Sequence, residues 1–155
     1  PELLYADLHS AVWPGLTGVV LSRLENVAQV REAESLLDEL EGIQARIHEL
    51  PHSEQRAFRK LDFQFHEIFC RGHYNQTAAE IWRNLRTTLN VQAARLRISP
   101  ARFEAIKKEH DELIVALRAN DPARADTVIR KHVDGSFVQM SQQIRALGMK
   151  NVAAH

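Results

Sequence analysis

The chain has 155 residues, 45% hydrophobic and 26% charged, the balance of a single globular domain, and at that length roughly 70% of its unfolded surface can be buried. No apolar run approaches the ~18 residues of a membrane-spanning helix, and 20 Lys and Arg against 20 Asp and Glu exclude the basic excess by which a domain grips DNA phosphates. A single cysteine, Cys70, rules out a disulfide framework and, with no signal peptide in residues 1–7, leads to the expectation of a cytoplasmic protein; the start at Pro1, without an initiator Met, suggests a fragment or a processed chain.

Apolar residues recur at helical spacing nearly throughout, with no alternating strand, so the fold class is all-α, a bundle. Residues 2–27 form the first segment, interrupted near Trp13, Pro14 and Gly15, where proline breaks the hydrogen-bond ladder. An acidic helix over 31–49 carries Leu36, Leu37, Leu40, Ile43 and Ile47, and a short connection follows with Ser53 as the expected N-cap. The next helix covers 54–71 and stops at Gly72. Asn75 opens another, with Ile81, Trp82, Leu85, Leu89, Ala93 and Leu96 facing the core; Trp13 and Trp82 read as core anchors. Ser99-Pro100 and Asp121-Pro122 each place an N-cap before a proline at the first helical position. They open helices over 100–119 and 122–147, the latter stopped by Gly148.

Asp62, His66, His110 and His132 each fall on the apolar stripe of a predicted helix. Asp62 and His66 are one turn apart and share a face with Phe58, Phe65 and Phe69. His110 is bracketed by Phe103, Ile106, Leu113, Ile114 and Leu117, and His132 by Ala125, Val128, Ile129, Ser136 and Met140. Burying a carboxylate and three imidazoles without partners costs on the order of several kcal/mol, so these groups should satisfy one another or share a cation. Short loops let facing helices bring distant residues together inside a bundle, and this donor mixture suits a divalent transition ion, zinc foremost, with nickel, manganese or iron as alternatives. More than four-coordination would leave positions open for water or a carboxylate.

Other polar groups are weaker candidates. Cys70, one turn beyond His66, reads as a buried small residue rather than a fifth ligand. His9, His48, His52, His73 and His155 lack the helical framing and read as dispensable surface or loop residues. Thr88, Gln92 and Arg95 form a polar stripe able to line a cavity, with Arg95 as a carboxylate clamp. Ser136 or Gln92 are the expected groups orienting the imidazoles.

The segment Leu61-Asp62-Phe63-Gln64-Phe65-His66, then Asn75, then Glu109-His110-Asp111-Glu112-Leu113-Ile114-Val115-Ala116-Leu117, then Asp121, Ala125 and Lys131-His132-Val133 resembles the FCD effector domain of GntR-family transcriptional regulators. In that family a D-x-x-F-H segment, an E-H segment before an A-L or A-I pair, a G-D or similar step and a late R-H-L segment recur in this order. The likeness covers residues 61–138. It implies an antiparallel bundle of six or seven helices with a central metal held by Asp62, His66, His110 and His132, and a small organic acid effector against the metal. It also implies a homodimer that meets DNA only through a winged helix-turn-helix domain upstream of this chain. The R-x-x-L-E pattern common on the family's first helix has Trp13 and Thr17 in the nearest register, with Arg23, Leu24 and Glu25 about ten residues later.

The favoured function is therefore a metal-dependent sensor, not an enzyme, whose small mono- or dicarboxylate effector shifts the dimer arrangement. The helix over 31–49 and the first segment are the candidate dimer surface. The alternative is an HD-type metal-dependent phosphohydrolase, since His110 and Asp111 are adjacent; on a helix, however, they point about 100° apart, which takes Asp111 off the apolar face. Di-iron oxidases need a paired E-x-x-H motif that does not occur, and a purely structural metal bundle is the third class.

Overall fold

A computed structural model describes residues 27–72, 80, 84 and 96–152 of the protein. Among them are four long helices, α1 (Val27–Glu49), α2 (Gln55–Gly72), α3 (Pro100–Arg118) and α4 (Pro122–Val152), and no strand. The expected first segment, with Trp13 and Pro14, and most of the helix opened by Asn75, with Trp82, Thr88, Gln92 and Arg95, lie outside the described residues, as do His9, His73, His155 and the side chain of Cys70.

Each helix buries the stripe its spacing defines. Leu40, Ile43 and Ile47 of α1, Phe58, Leu61, Phe65, Ile68 and Phe69 of α2, Phe103, Ile106, Leu113, Ile114 and Leu117 of α3, and Ala125, Val128, Ile129 and Val133 of α4 close one core. Helix α1 packs on α2 and α3, and α3 on α4. Phe58 and Phe103 meet at the base with ring centroids 4.5 Å apart, both essentially inaccessible to water.

The connections follow from local chemistry. Ser99, extended at φ −68 and ψ 155, accepts a 3.2 Å hydrogen bond from Arg102 N and starts α3, with Pro100 at the first position where no N–H is needed. The helix closes in a Schellman turn: Asn120 is left-handed at φ 50, its N–H reaches Leu117 O at 3.0 Å, and Asp121 N reaches Ala116 O at 2.9 Å. Asp121 then accepts from Arg124 N at 3.0 Å, so one residue ends α3 and caps α4, and α4 folds back onto α3. This turn fixes where His110 and His132 stand relative to each other.

Three boundaries differ from expectation. Helix α1 already runs at Val27, with no break before 31. Helix α2 begins at Gln55, so Glu54, not Ser53, occupies the position before it; Glu54 O accepts from Phe58 N at 3.0 Å. Helix α4 continues through Gly148 to Val152. Glycine stops a helix by turning left-handed, and none of the described glycines has positive φ.

His52 lies in the loop before α2 and His48 on an exposed face of α1, as expected, and both make contacts across the bundle. His52 Nε2 bonds Ile98 O at 2.7 Å and its ring meets Phe103 edge-on at 5.3 Å, pinning the segment that leads into α3. His48 Nε2 lies 2.9 Å from Asp111 Oδ1, joining the end of α1 to α3.

Candidate metal centre

Helix α2 supplies Asp62 and His66 from successive turns, α3 supplies His110 and α4 His132. Their side chains converge: one donor atom from each lies within 4.8 Å of all the others. His132 Nε2 and His66 Nε2 are 3.2 Å apart, and Asp62 Oδ1 is 3.5 Å from His110 Nε2 and 3.8 Å from His66 Nε2. A tetrahedral ion with bonds of about 2.0–2.1 Å has ligand-to-ligand edges of about 3.3–3.4 Å, so the atoms already stand near that spacing. The three imidazoles are at most 4% exposed, while the Asp62 side chain keeps 24% exposure and forms the open side of the cluster.

The surroundings hold these rings firmly. Phe65 stacks on His110 at 3.9 Å with planes 5° apart, which leaves the imidazole no room to tilt. Glu109 Oε2 accepts a 3.0 Å bond from His132 Nδ1; an ionised carboxylate only accepts, so the proton sits on Nδ1 and the Nε2 lone pair faces the cluster. Glu109 is itself gripped by Arg102, whose Nη1 reaches both carboxylate oxygens at 3.0 and 2.9 Å. Arg102 Nη2 donates to His132 O at 2.7 Å and Ser136 Oγ at 2.9 Å. That guanidinium lies against Gly135, where a Cβ would stand 2.6 Å from Nη1, so glycine is needed for the approach. On the far side, Gln44 Oε1 of α1 lies 3.2 Å from His110 Nδ1.

Burial dominates the electrostatics. It pushes the Asp62 carboxyl up to about 6, with the charges of His132 and Arg102 pulling it back. It also drives His110 well below the ordinary histidine range, and the neighbouring His132, His66, Arg102 and His48 push in the same direction. For Glu109, burial works upward, but hydrogen bonds from His132 and Arg102 outweigh it and hold the carboxyl below its usual range. At neutral pH the cluster thus contains an ionised Asp62 and a neutral His110, the forms that coordinate a cation.

Whether these residues fit a metal is decided by two atoms. Asp62 Oδ1 and His110 Nε2 are buried, point into the cluster and have no hydrogen-bond partner. Buried polar atoms left in this way normally cost about 1–3 kcal/mol each, and a cation among the four donors removes both deficits at once. The donor set fits a borderline divalent transition ion.

All four residues expected to share a site come together. Ser136 does not touch an imidazole: it accepts from Arg102, one step removed, and Glu109 holds the His132 ring instead. Asp111 leaves the cluster, half exposed and bound to His48 and Gln44, so the adjacent His-Asp pair of a phosphohydrolase is split between core and surface. Besides Glu109, three residues were missed by sequence reasoning. Gln44 lies on the stripe of Leu40 and Ile47, the same signal that singled out the histidines; Gly135 is a glycine inside a helix, a cost of about 1 kcal/mol that asks for a reason. Arg102 carried no signal beyond its place in the first turn of α3.

This helical bundle thus carries a buried group of one carboxylate and three imidazoles that could hold a metal ion. The family model of the FCD domain matches residues 24–135, well over half of the chain, and the chain belongs to this family, the effector-binding domains of GntR-type regulators. The match begins at Leu24, so Trp13 and Thr17 lie upstream of the matched region. No curated protein matches the chain.

Proposed function

We propose that this domain is a metal-dependent sensor of a GntR-type regulator, in which Asp62, His66, His110 and His132 hold a divalent transition-metal ion, zinc foremost, and a small organic acid binds beside it. The observation that carries the reading is the pair of buried, unpartnered atoms, Asp62 Oδ1 and His110 Nε2, aimed at the same point as the other imidazoles. A bound ion would supply positive charge and open coordination positions to an incoming carboxylate. The protein's own part is to keep His110 neutral and the rings oriented: Glu109 and Arg102 lock His132, and Phe65 lies flat on His110. The open side at Asp62 is the approach route, since the imidazoles are sealed. Arg95, Gln92 and Thr88 remain the proposed effector contacts, with Arg95 as the cationic fork.

The regulator is proposed to act as a homodimer, with DNA contacted by a winged helix-turn-helix domain elsewhere in the longer protein, so that effector binding shifts the relation of two half-site readers. Among the described residues no helix is long and apolar enough to cross a membrane. The test is calorimetry on protein stripped of metal and reloaded. One equivalent of zinc should bind to the native chain and fail to bind to His110→Ala or His132→Ala, and only the loaded protein should then take up members of a mono- and dicarboxylate panel. Absence of zinc binding sinks the metal reading; zinc binding with no acid bound, but phosphate esters turned over, sinks the sensor reading in favour of a hydrolase.

A further inference from the structure

The second nitrogen of the His110 ring faces a neutral amide. Gln44, 3% exposed, reaches across from α1 to place Oε1 3.2 Å from His110 Nδ1. An amide can be turned over, so its orientation must come from its other end. There Nε2 lies within reach of three groups: the backbone carbonyl Lys107 O at 2.8 Å and the carboxylate Asp111 Oδ1 at 2.7 Å, neither of which can donate, and His48 Nε2 at 3.1 Å. Turning the amide would set its oxygen against both of those oxygens and its NH2 against the ring, exchanging two good bonds for two acceptor-to-acceptor contacts. The amide is locked with oxygen toward His110, and the ring must then donate from Nδ1. Asp111 is fixed in turn by His48, whose Nε2 lies 2.9 and 3.1 Å from its two carboxylate oxygens.

We propose that Gln44 is a positioning residue for the metal centre: held by Asp111 and the Lys107 carbonyl, it fixes His110 as the Nδ1–H tautomer and so keeps the Nε2 lone pair directed at Asp62, His66 and His132. This rests on the metal reading above. It makes α1, which contributes no ligand, a part of the site, and gives Asp111 and the half-exposed His48 a purpose outside the cluster. It also makes two of the ligands unequal. His132 leans on a carboxylate and is the stronger donor, whereas His110 leans on a neutral amide, which adds no charge behind the ring.

The test reads the tautomer directly, by long-range 1H–15N correlation of the histidine rings in metal-free protein at neutral pH, alongside competition titration with zinc. Native His110 should show the Nδ1-protonated pattern. Gln44→Leu, which keeps the bulk and removes the acceptor, should move His110 to a mixed or Nε2-protonated pattern and weaken zinc binding about 10–100-fold, the usual effect of losing such a partner. Should Gln44→Leu not fold, Asp111→Leu serves, because it frees the amide to turn and should mix the His110 pattern in the same way. Asp111→Asn, which keeps an oxygen to accept from the Gln44 amide, should retain the Nδ1–H pattern that Asp111→Leu mixes, a rescue by the conservative variant that a role in packing would not produce. A native His110 protonated on Nε2, or a tautomer unmoved in Gln44→Leu and Asp111→Leu, overturns the proposal. If the tautomer moves as stated but native protein takes up no zinc, the metal reading fails and the positioning of the ring by Gln44 stands.

Discussion

Replacing Gly135 by alanine sets two known effects against each other. Inside a helix, alanine is favoured over glycine by about 1 kcal/mol, so at an open position the change should stabilise. At Gly135 the new Cβ would lie 2.6 Å from Arg102 Nη1 and 2.9 Å from Cζ, well inside contact distance. The guanidinium is the far end of a flexible side chain and could swing away if it were free. It is not: Arg102 is buried and bonded to Glu109, His132 O and Ser136. Moving it by enough to clear the methyl loses at least one or two hydrogen bonds to or from charged groups, about 1.5–3 kcal/mol each. The loss exceeds the helix gain, and Gly135→Ala should destabilise by roughly 0.5–5 kcal/mol net. Gly42 provides the matched control, since a Cβ there meets nothing within 4 Å, and Gly42→Ala should stabilise by about 0.5–1 kcal/mol. Urea unfolding of both variants in metal-free form, with the slope checked for constancy, measures the two effects. If Gly135→Ala stabilises as much as Gly42→Ala does, Arg102 is not anchored and the Glu109 scaffold behind His132 is wrong.

Asp62→Asn should act in opposite directions on the metal-free and metal-loaded protein. With its folded pKa at about 6 against an ordinary 3.8, Asp62 takes up a proton in the folded state first, so its contribution favours folding at low pH and is lost as pH rises through about 6. At pH 7 the buried charge costs up to about 3 kcal/mol, which Asn removes; the metal-free variant should melt higher than native at pH 7 and no higher at pH 4, yet bind zinc far more weakly. Equal melting temperatures for variant and native at pH 7 would refute the burial argument. His110 has the reverse sign: its lowered pKa means that the unfolded chain binds a proton first, so stability from this group falls as pH drops below about 6.5. Metal-free His110→Phe, which keeps the stack on Phe65, should lose that acid-side slope in calorimetric melts at pH 7 and 5, and an unchanged slope counts against it. Glu109→Gln leaves Arg102 buried without its carboxylate and should destabilise by about 3–5 kcal/mol while weakening zinc binding about 10–100-fold; retention of native stability in urea would show the pair to be dispensable.

The helices were readable from the chain because their causes are local. Apolar spacing of 3 and 4 residues marks the buried faces of α1 to α4, and Ser99-Pro100 and Asp121-Pro122 mark the two starts that the observed caps reproduce. Asp62, His66, His110 and His132 were readable for the same reason, since a polar group on an apolar stripe needs partners wherever the stripe packs. What holds those groups was not readable. Gln44 and His110 are 66 residues apart, and His132 and Arg102 are 30, so only the packing of α1 on α3 and of α4 on α3 reveals who bonds whom. Helix ends set by glycine were misjudged at Gly148, because a glycine stops a helix only if the chain turns left-handed there, and surrounding contacts decide that. Asp111 shows the division most plainly. Its place beside His110 in sequence suggested a shared site, but the helical turn sends it to the surface, and only the approach of α1 gives it Gln44 and His48 as partners. Local spacing determines which side chains are buried; the long-range closure of the bundle determines their partners, and with them the protonation state each brings to the site.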